Sequence, residues 1–65
     1  MDIMINGISL TVDDTLDLRE LLQQQGFQGS FALAINGEFV PKSDYANTLL
    51  HPGDALDVLT PISGG

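Results

Sequence analysis

The sequence predicts an α+β domain in which a mixed sheet of four to five strands wraps one main helix. Three observations predict it. Short stretches of period-two hydropathy recur along the chain, beginning with "MDIMI" and ending with "ALDVLTP". A single stretch, "DDTLDLRELLQQQG", changes to a helical period. Two Asn-Gly pairs, Asn6-Gly7 and Asn36-Gly37, separate neighbouring alternating stretches. Asn-Gly is the strongest short hairpin signal, because both residues tolerate positive φ.

Taken in order, Met1, Ile3 and Ile5 point to one side of a first strand, and Asp2, Met4 and Asn6 to the other. After the turn, Ile8, Leu10 and Val12 share one face of "ISLTV". The two strands make an amphipathic hairpin whose apolar face needs a cover. The helix supplies it. Asp14 or Thr15 is predicted to cap its start, with Asp17 and Glu20 near its positive end. Leu18, Leu21 and Leu22 fall at i, i+3 and i+4 as one stripe, and Leu16 joins from the first turn. Gly26 suits the left-handed position just past the end.

Alternation returns in "FALAI": Phe31, Leu33 and Ile35 share one face, Ala32 and Ala34 the other. The second Asn-Gly turns the chain into "EFV", which Pro41 stops, since proline cannot donate to a ladder. Ser43 to Ala46 is predicted as one helical turn, and "HPGD" at His51 to Asp54 as a turn by composition. In the last strand Leu56 and Val58 face one way, Asp57 and Leu59 the other. The order β-β-α-β-β-(turn)-β, folded to bury the inward faces, is the ubiquitin-like β-grasp. Residues 1–61 are expected to form this domain and 62–65 a flexible arm.

Composition narrows the chemistry. Sixty-five residues make one domain, which buries only about 60% of its unfolded surface. With no cysteine and one histidine, disulfides, thiolate sites, a cysteine nucleophile and a multi-histidine metal site are excluded, and regular packing has to hold the fold. Nine acids against Arg19 and Lys42 leave a net charge of −7, which argues against binding nucleic acid. Such a charge fits a basic partner surface, or simply keeps a small apolar-rich domain soluble. No apolar run approaches the ~20 residues of a membrane helix, and no basic-then-apolar leader follows Met1, so the cytoplasm is the expected compartment.

A catalytic constellation is not expected. His51 has no Ser or Cys partner nearby and reads as a turn residue. Asp13, Asp14, Asp17 and Glu20 lack calcium-loop spacing and read as caps and helix-dipole partners. The glycines of the Asn-Gly pairs belong to turns, not to a phosphate loop. Two features remain. Ala32, Ala34, Phe39, Leu59 and Ile62, with Lys42 beside them, are candidates for a flat partner-docking surface. The final "TPISGG" ends in two glycines, roughly a 0.5% accident at ~7% glycine usage. Without Cβ atoms, Gly64 and Gly65 can thread a narrow channel into another protein's active site. A carboxylate there is a poor electrophile until ATP activates it as an acyl-adenylate. Ile62, Ser63 and Gly64 would then be an arm and Gly65 the residue that is modified.

The segment "ALAINGEFVPKSDYANTLLHPGDALDVLTPISGG", Ala32 to Gly65, resembles the ThiS family of sulfur carriers in thiamine thiazole synthesis. The run Asn36-Gly37-Glu38, Val40-Pro41-Lys42 carries most of the likeness, with Gly53-Asp54 before the last strand and the Gly-Gly end. Two positions depart: Lys42 stands where the family usually has arginine, and Tyr45 where it usually has tryptophan. Lysine keeps the charge but lacks the planar fork. The resemblance implies a non-enzymatic carrier. An E1-like adenylyltransferase (the ThiF type), holding ATP and magnesium, would adenylate Gly65. A persulfide donor would convert it to a thiocarboxylate, and a thiazole synthase (the ThiG type) would take the sulfur. A molybdopterin-synthase small-subunit type of carrier, a ubiquitin-like protein modifier and a plain interaction domain remain as alternatives.

Overall fold

Five strands, one α-helix and one 3₁₀ helix follow one another in the computed structural model, which describes residues 1–60. The predicted arm, residues 62–65, lies outside them. The strands are β1 (Asp2–Ile5), β2 (Ile8–Thr11), β3 (Ala32–Ile35), β4 (Glu38–Val40) and β5 (Ala55–Leu59). Helix α1 (Leu18–Gln24) follows β2, and the 3₁₀ helix (Lys42–Asn47) follows β4. The sheet order is β2-β1-β5-β3-β4. β1 and β5 are parallel, and every other neighbouring pair is antiparallel. A mixed five-stranded sheet over one helix is the β-grasp that the element order predicts.

Both hairpin turns form at the Asn-Gly pairs. Asn6 and Gly7 have φ of 51° and 82°, and Asn36 and Gly37 have 52° and 84°. Two consecutive positive φ values give the turn whose twist matches the flanking strands. Its register sets the inward faces: Ile3 and Ile5 from β1, Leu33 from β3, Leu56 and Val58 from β5. Against them α1 packs Leu18, Leu21 and Leu22, all nearly or fully buried. Each such side chain contributes about 1.5–3 kcal/mol of transfer free energy. Tyr45 completes the core from the 3₁₀ helix, its ring stacked on Phe31 at 6.2 Å and 13°. That helix is one residue longer at each end than the turn expected at Ser43 to Ala46.

The start of α1 corrects an expectation. Neither Asp14 nor Thr15 caps it; Asp17 does, accepting the Arg19 N–H at 2.8 Å from an extended backbone. The expected caps are engaged elsewhere. Asp14 binds the Met1 ammonium at 2.8 Å, an exposed ion pair that raises the ammonium's pKa. Thr15 gives its N–H and hydroxyl to the Asp13 carboxylate at 2.9 and 2.8 Å, which lowers the Asp13 pKa. Residues 13–16 therefore close as an Asx-type turn that returns Leu16 N–H to Asp13 O. At the other end Gly26 takes φ 87°, with Gly26 N–H bound to Gln23 O and Phe27 N–H to Leu22 O. This is the Schellman pairing that a glycine in that place permits.

Candidate functional site

β5 is the strand that leads towards the chain's end, and it is held on both edges. β1 flanks it on one side and β3 on the other. Each Asn-Gly turn adds a side-chain clamp. Asn6 Oδ1 accepts the Val58 N–H at 2.8 Å, filling a ladder position beyond the last residue of β1. Asn36 Oδ1 accepts the Ala55 N–H at 3.0 Å, while its Nδ2 donates to Asp54 Oδ1 at 2.9 Å. Asp54 in turn accepts the His51 N–H at 2.8 Å and closes the turn before β5. Burial pushes the Asp54 carboxyl up, but the His51 N–H, the Asn36 amide and the His51 ring together hold it below its usual value. Sequence reasoning missed both clamps. Asn before Gly already satisfies the turn, so nothing in the letters signals a second use of the side chain.

The sheet face away from α1 assembles four of the expected docking residues. Ala32 lies opposite Leu59 and Ala34 opposite Phe39, so the four form adjoining pairs across β5, β3 and β4. Phe39 and Leu59 are each 69% exposed. Asp57 sits beside Ala34 as the polar neighbour. A face built of two alanines between two large apolar side chains is nearly flat and cheap to desolvate. Lys42 does not join it. It opens the 3₁₀ helix and lines a groove with Arg19, Phe31 and Tyr45 on the helix side of the sheet. Gly65, Gly64, Ser63 and Ile62 lie outside the described residues, so the structure places β5 and this face but not the arm.

Side chains able to do acid–base or nucleophilic work do not converge here. The His51 ring is exposed, with Nδ1 3.9 Å from Asp54 Oδ2. Among the described residues, no three His, Asp or Glu side chains come together to hold a metal ion. No helix among them is long and apolar enough to cross a membrane. What the arrangement offers is a firmly held strand beside an exposed apolar face.

A sheet of this order over one helix defines a ubiquitin-like β-grasp protein. The profile of the ThiS family matches residues 3–65, and the chain belongs to the ThiS family. It is similar to the crystal structure of a thiamine biosynthesis protein (ThiS) from Geobacter metallireducens, with 29% identity, a TM-score of 0.81 and both chains covered in full. The solution structure of a thiamine biosynthesis protein from the same organism matches with 29% identity and a TM-score of 0.79, over all of this chain and 88% of that one. No curated protein matches the chain.

Proposed function

We propose that the protein is a sulfur carrier of thiamine biosynthesis that works through the carboxylate of Gly65. One observation carries the reading: the match to the ThiS family spans residues 3–65, the two glycines included. An E1-like adenylyltransferase of the ThiF type, with ATP and magnesium in its own site, joins Gly65 to AMP and releases pyrophosphate. A persulfide sulfur then attacks the carbonyl carbon and AMP leaves. A second thiol cleaves the resulting S–S bond, leaving the thiocarboxylate on Gly65 and a disulfide on the donor. A thiazole synthase of the ThiG type consumes that sulfur. Ile62, Ser63 and Gly64 form the arm that enters these sites, and Ala32, Ala34, Phe39 and Leu59 dock the body of the protein. The chain is a co-substrate and not an enzyme.

The reading is tested by intact mass after incubation with ATP, magnesium, an adenylyltransferase of this type from the same organism and a persulfide donor. The expected gain is the mass difference between sulfur and oxygen, located on the C-terminal peptide. An unchanged mass with active partner enzyme would sink the proposal. A chain found in isopeptide linkage to other proteins would favour a modifier instead. Deletion of Gly64 and Gly65 is expected to abolish the gain while leaving the fold intact.

A further inference from the structure

The chain has two side-chain cations and nine acids, yet both cations line the same groove. Arg19 on α1 and Lys42 at the start of the 3₁₀ helix border a space of about 330 Å³ whose walls include Phe27, Gln28, Phe31 and Tyr45. No acidic residue lines it. Acids do line the other polar grooves: Asp14 and Asp17 one of them, Glu38 and Asp54 another. The cations remain available. Arg19 meets Asp17 only at 3.5 Å in an exposed contact, a type of pair worth little. Lys42 makes no ion pair among the described residues.

We propose that this groove binds an acidic peptide segment of a partner protein, with one apolar side chain against the aromatic wall and flanking carboxylates on Arg19 and Lys42. Charge complementarity selects the occupant. Over most of a molecule of net charge −7 an acidic segment is repelled, and here alone among the described grooves it meets cations without acids. The aromatic wall argues against a small inorganic anion, which would gain nothing from Phe27, Phe31 or Tyr45. Volume agrees, since the space admits a large side chain. The groove lies on the helix side of the sheet, so a segment bound there leaves the Phe39–Leu59 face free. A partner engaging both sides would fix the orientation of the whole domain. The proposal goes beyond the carrier reading and does not depend on it.

The test is a ¹H–¹⁵N NMR titration of the full chain with three probes. They are a capped peptide of Glu and Asp around one central Leu, the same peptide with Gln and Asn, and inorganic phosphate. The acidic peptide is expected to shift the amides of Gln28, Gly29, Lys42 and Tyr45 saturably, and to weaken as salt rises. Lys42→Gln and Arg19→Gln each raise its Kd about fivefold, the size of one exposed ion pair, whereas Phe39→Ser leaves it unchanged. Both cations are exposed, so the unperturbed amides of the core report an intact fold in each variant. The proposal is overturned if the acidic peptide gives no saturable shift at millimolar concentration, or if the neutral peptide binds as well. It also falls if phosphate alone saturates the same amides equally, or if the two variants bind like the parent chain.

Discussion

Asn6 and Asn36 each do two jobs with one side chain, and the two can be separated. Glycine accepts the positive φ of either position but supplies no amide. Asn6→Gly leaves the N–H of Val58, a residue only 6% exposed, without its acceptor, and is expected to cost about 1–3 kcal/mol. Asn6→Asp keeps an acceptor oxygen and should lose less. Asn36→Asp should lose more, because it removes the donor to Asp54 and sets a second carboxylate against it. Urea unfolding of the three variants gives the ranking. Asp54 also makes a prediction about pH. Its folded pKa is depressed, so its contribution is present above the ordinary carboxylate pKa of about 4 and is lost as pH falls through the folded value. Asp13 titrates in the same window, so the informative quantity is the stability gap between the parent chain and Asp54→Asn. That gap should be fully present near pH 5 and narrow below about pH 4. A gap that stays constant on further acidification would show that the His51 and Asn36 bonds do not stabilise the ionised form.

Among the elements, the strands were legible from the sequence and the helix start was not. Period two in β1, β3 and β5 leaves only one register that hides Ile3, Leu33 and Val58, and the two Asn-Gly turns fix the partners. For α1 three oxygen-bearing side chains within four positions compete: Asp14, Thr15 and Asp17. The choice depends on where the Met1 ammonium comes to rest, which is a tertiary fact. The structure predicts that Asp17→Ala costs about 1 kcal/mol by losing the cap, while Thr15→Ala stays within about 0.5 kcal/mol. Thermal or urea unfolding distinguishes them, and equal losses would restore the earlier start. The short α1 also explains why Ile8, on the inward side of β2, is 70% exposed. It lines an open groove of about 150 Å³ between the hairpin and the C-terminal turn of the helix. Leu21, fully buried on the helix stripe, has no such opening. Leu21→Ala is expected to cost about 2–5 kcal/mol, comparable with the whole stability of a chain this small, so far-UV circular dichroism should find it largely unfolded.

For the whole molecule, the core and the proposed docking face occupy opposite sides of one sheet, so they can be altered independently. Phe39→Ser and Leu59→Ser should each cost at most about 1 kcal/mol of stability, since both side chains are exposed. On the proposed docking role, the same changes should weaken binding to a ThiF-type adenylyltransferase about tenfold or more by calorimetry, as loss of an interfacial apolar anchor does. Unchanged affinity would remove this face from the docking surface. Much of that face was legible as the off-phase residues of β3, β4 and β5. The place of Lys42 was not, because Pro41 ends the strand and the 3₁₀ helix carries the chain to the helix side. The parallel pairing of β1 with β5 has a mechanical side as well. Gly53 N–H to Asp2 O, Met4 N–H to Asp54 O, Asn6 N–H to Leu56 O and Val58 N–H to Asn6 Oδ1 run along that seam at 2.7–2.9 Å. Because the strands run the same way, tension between Met1 and Thr60 loads these bonds together in shear instead of unzipping them singly. The domain should therefore resist being pulled along this axis far better than its modest folding free energy implies, since rupture under force follows the unfolding rate and not the equilibrium.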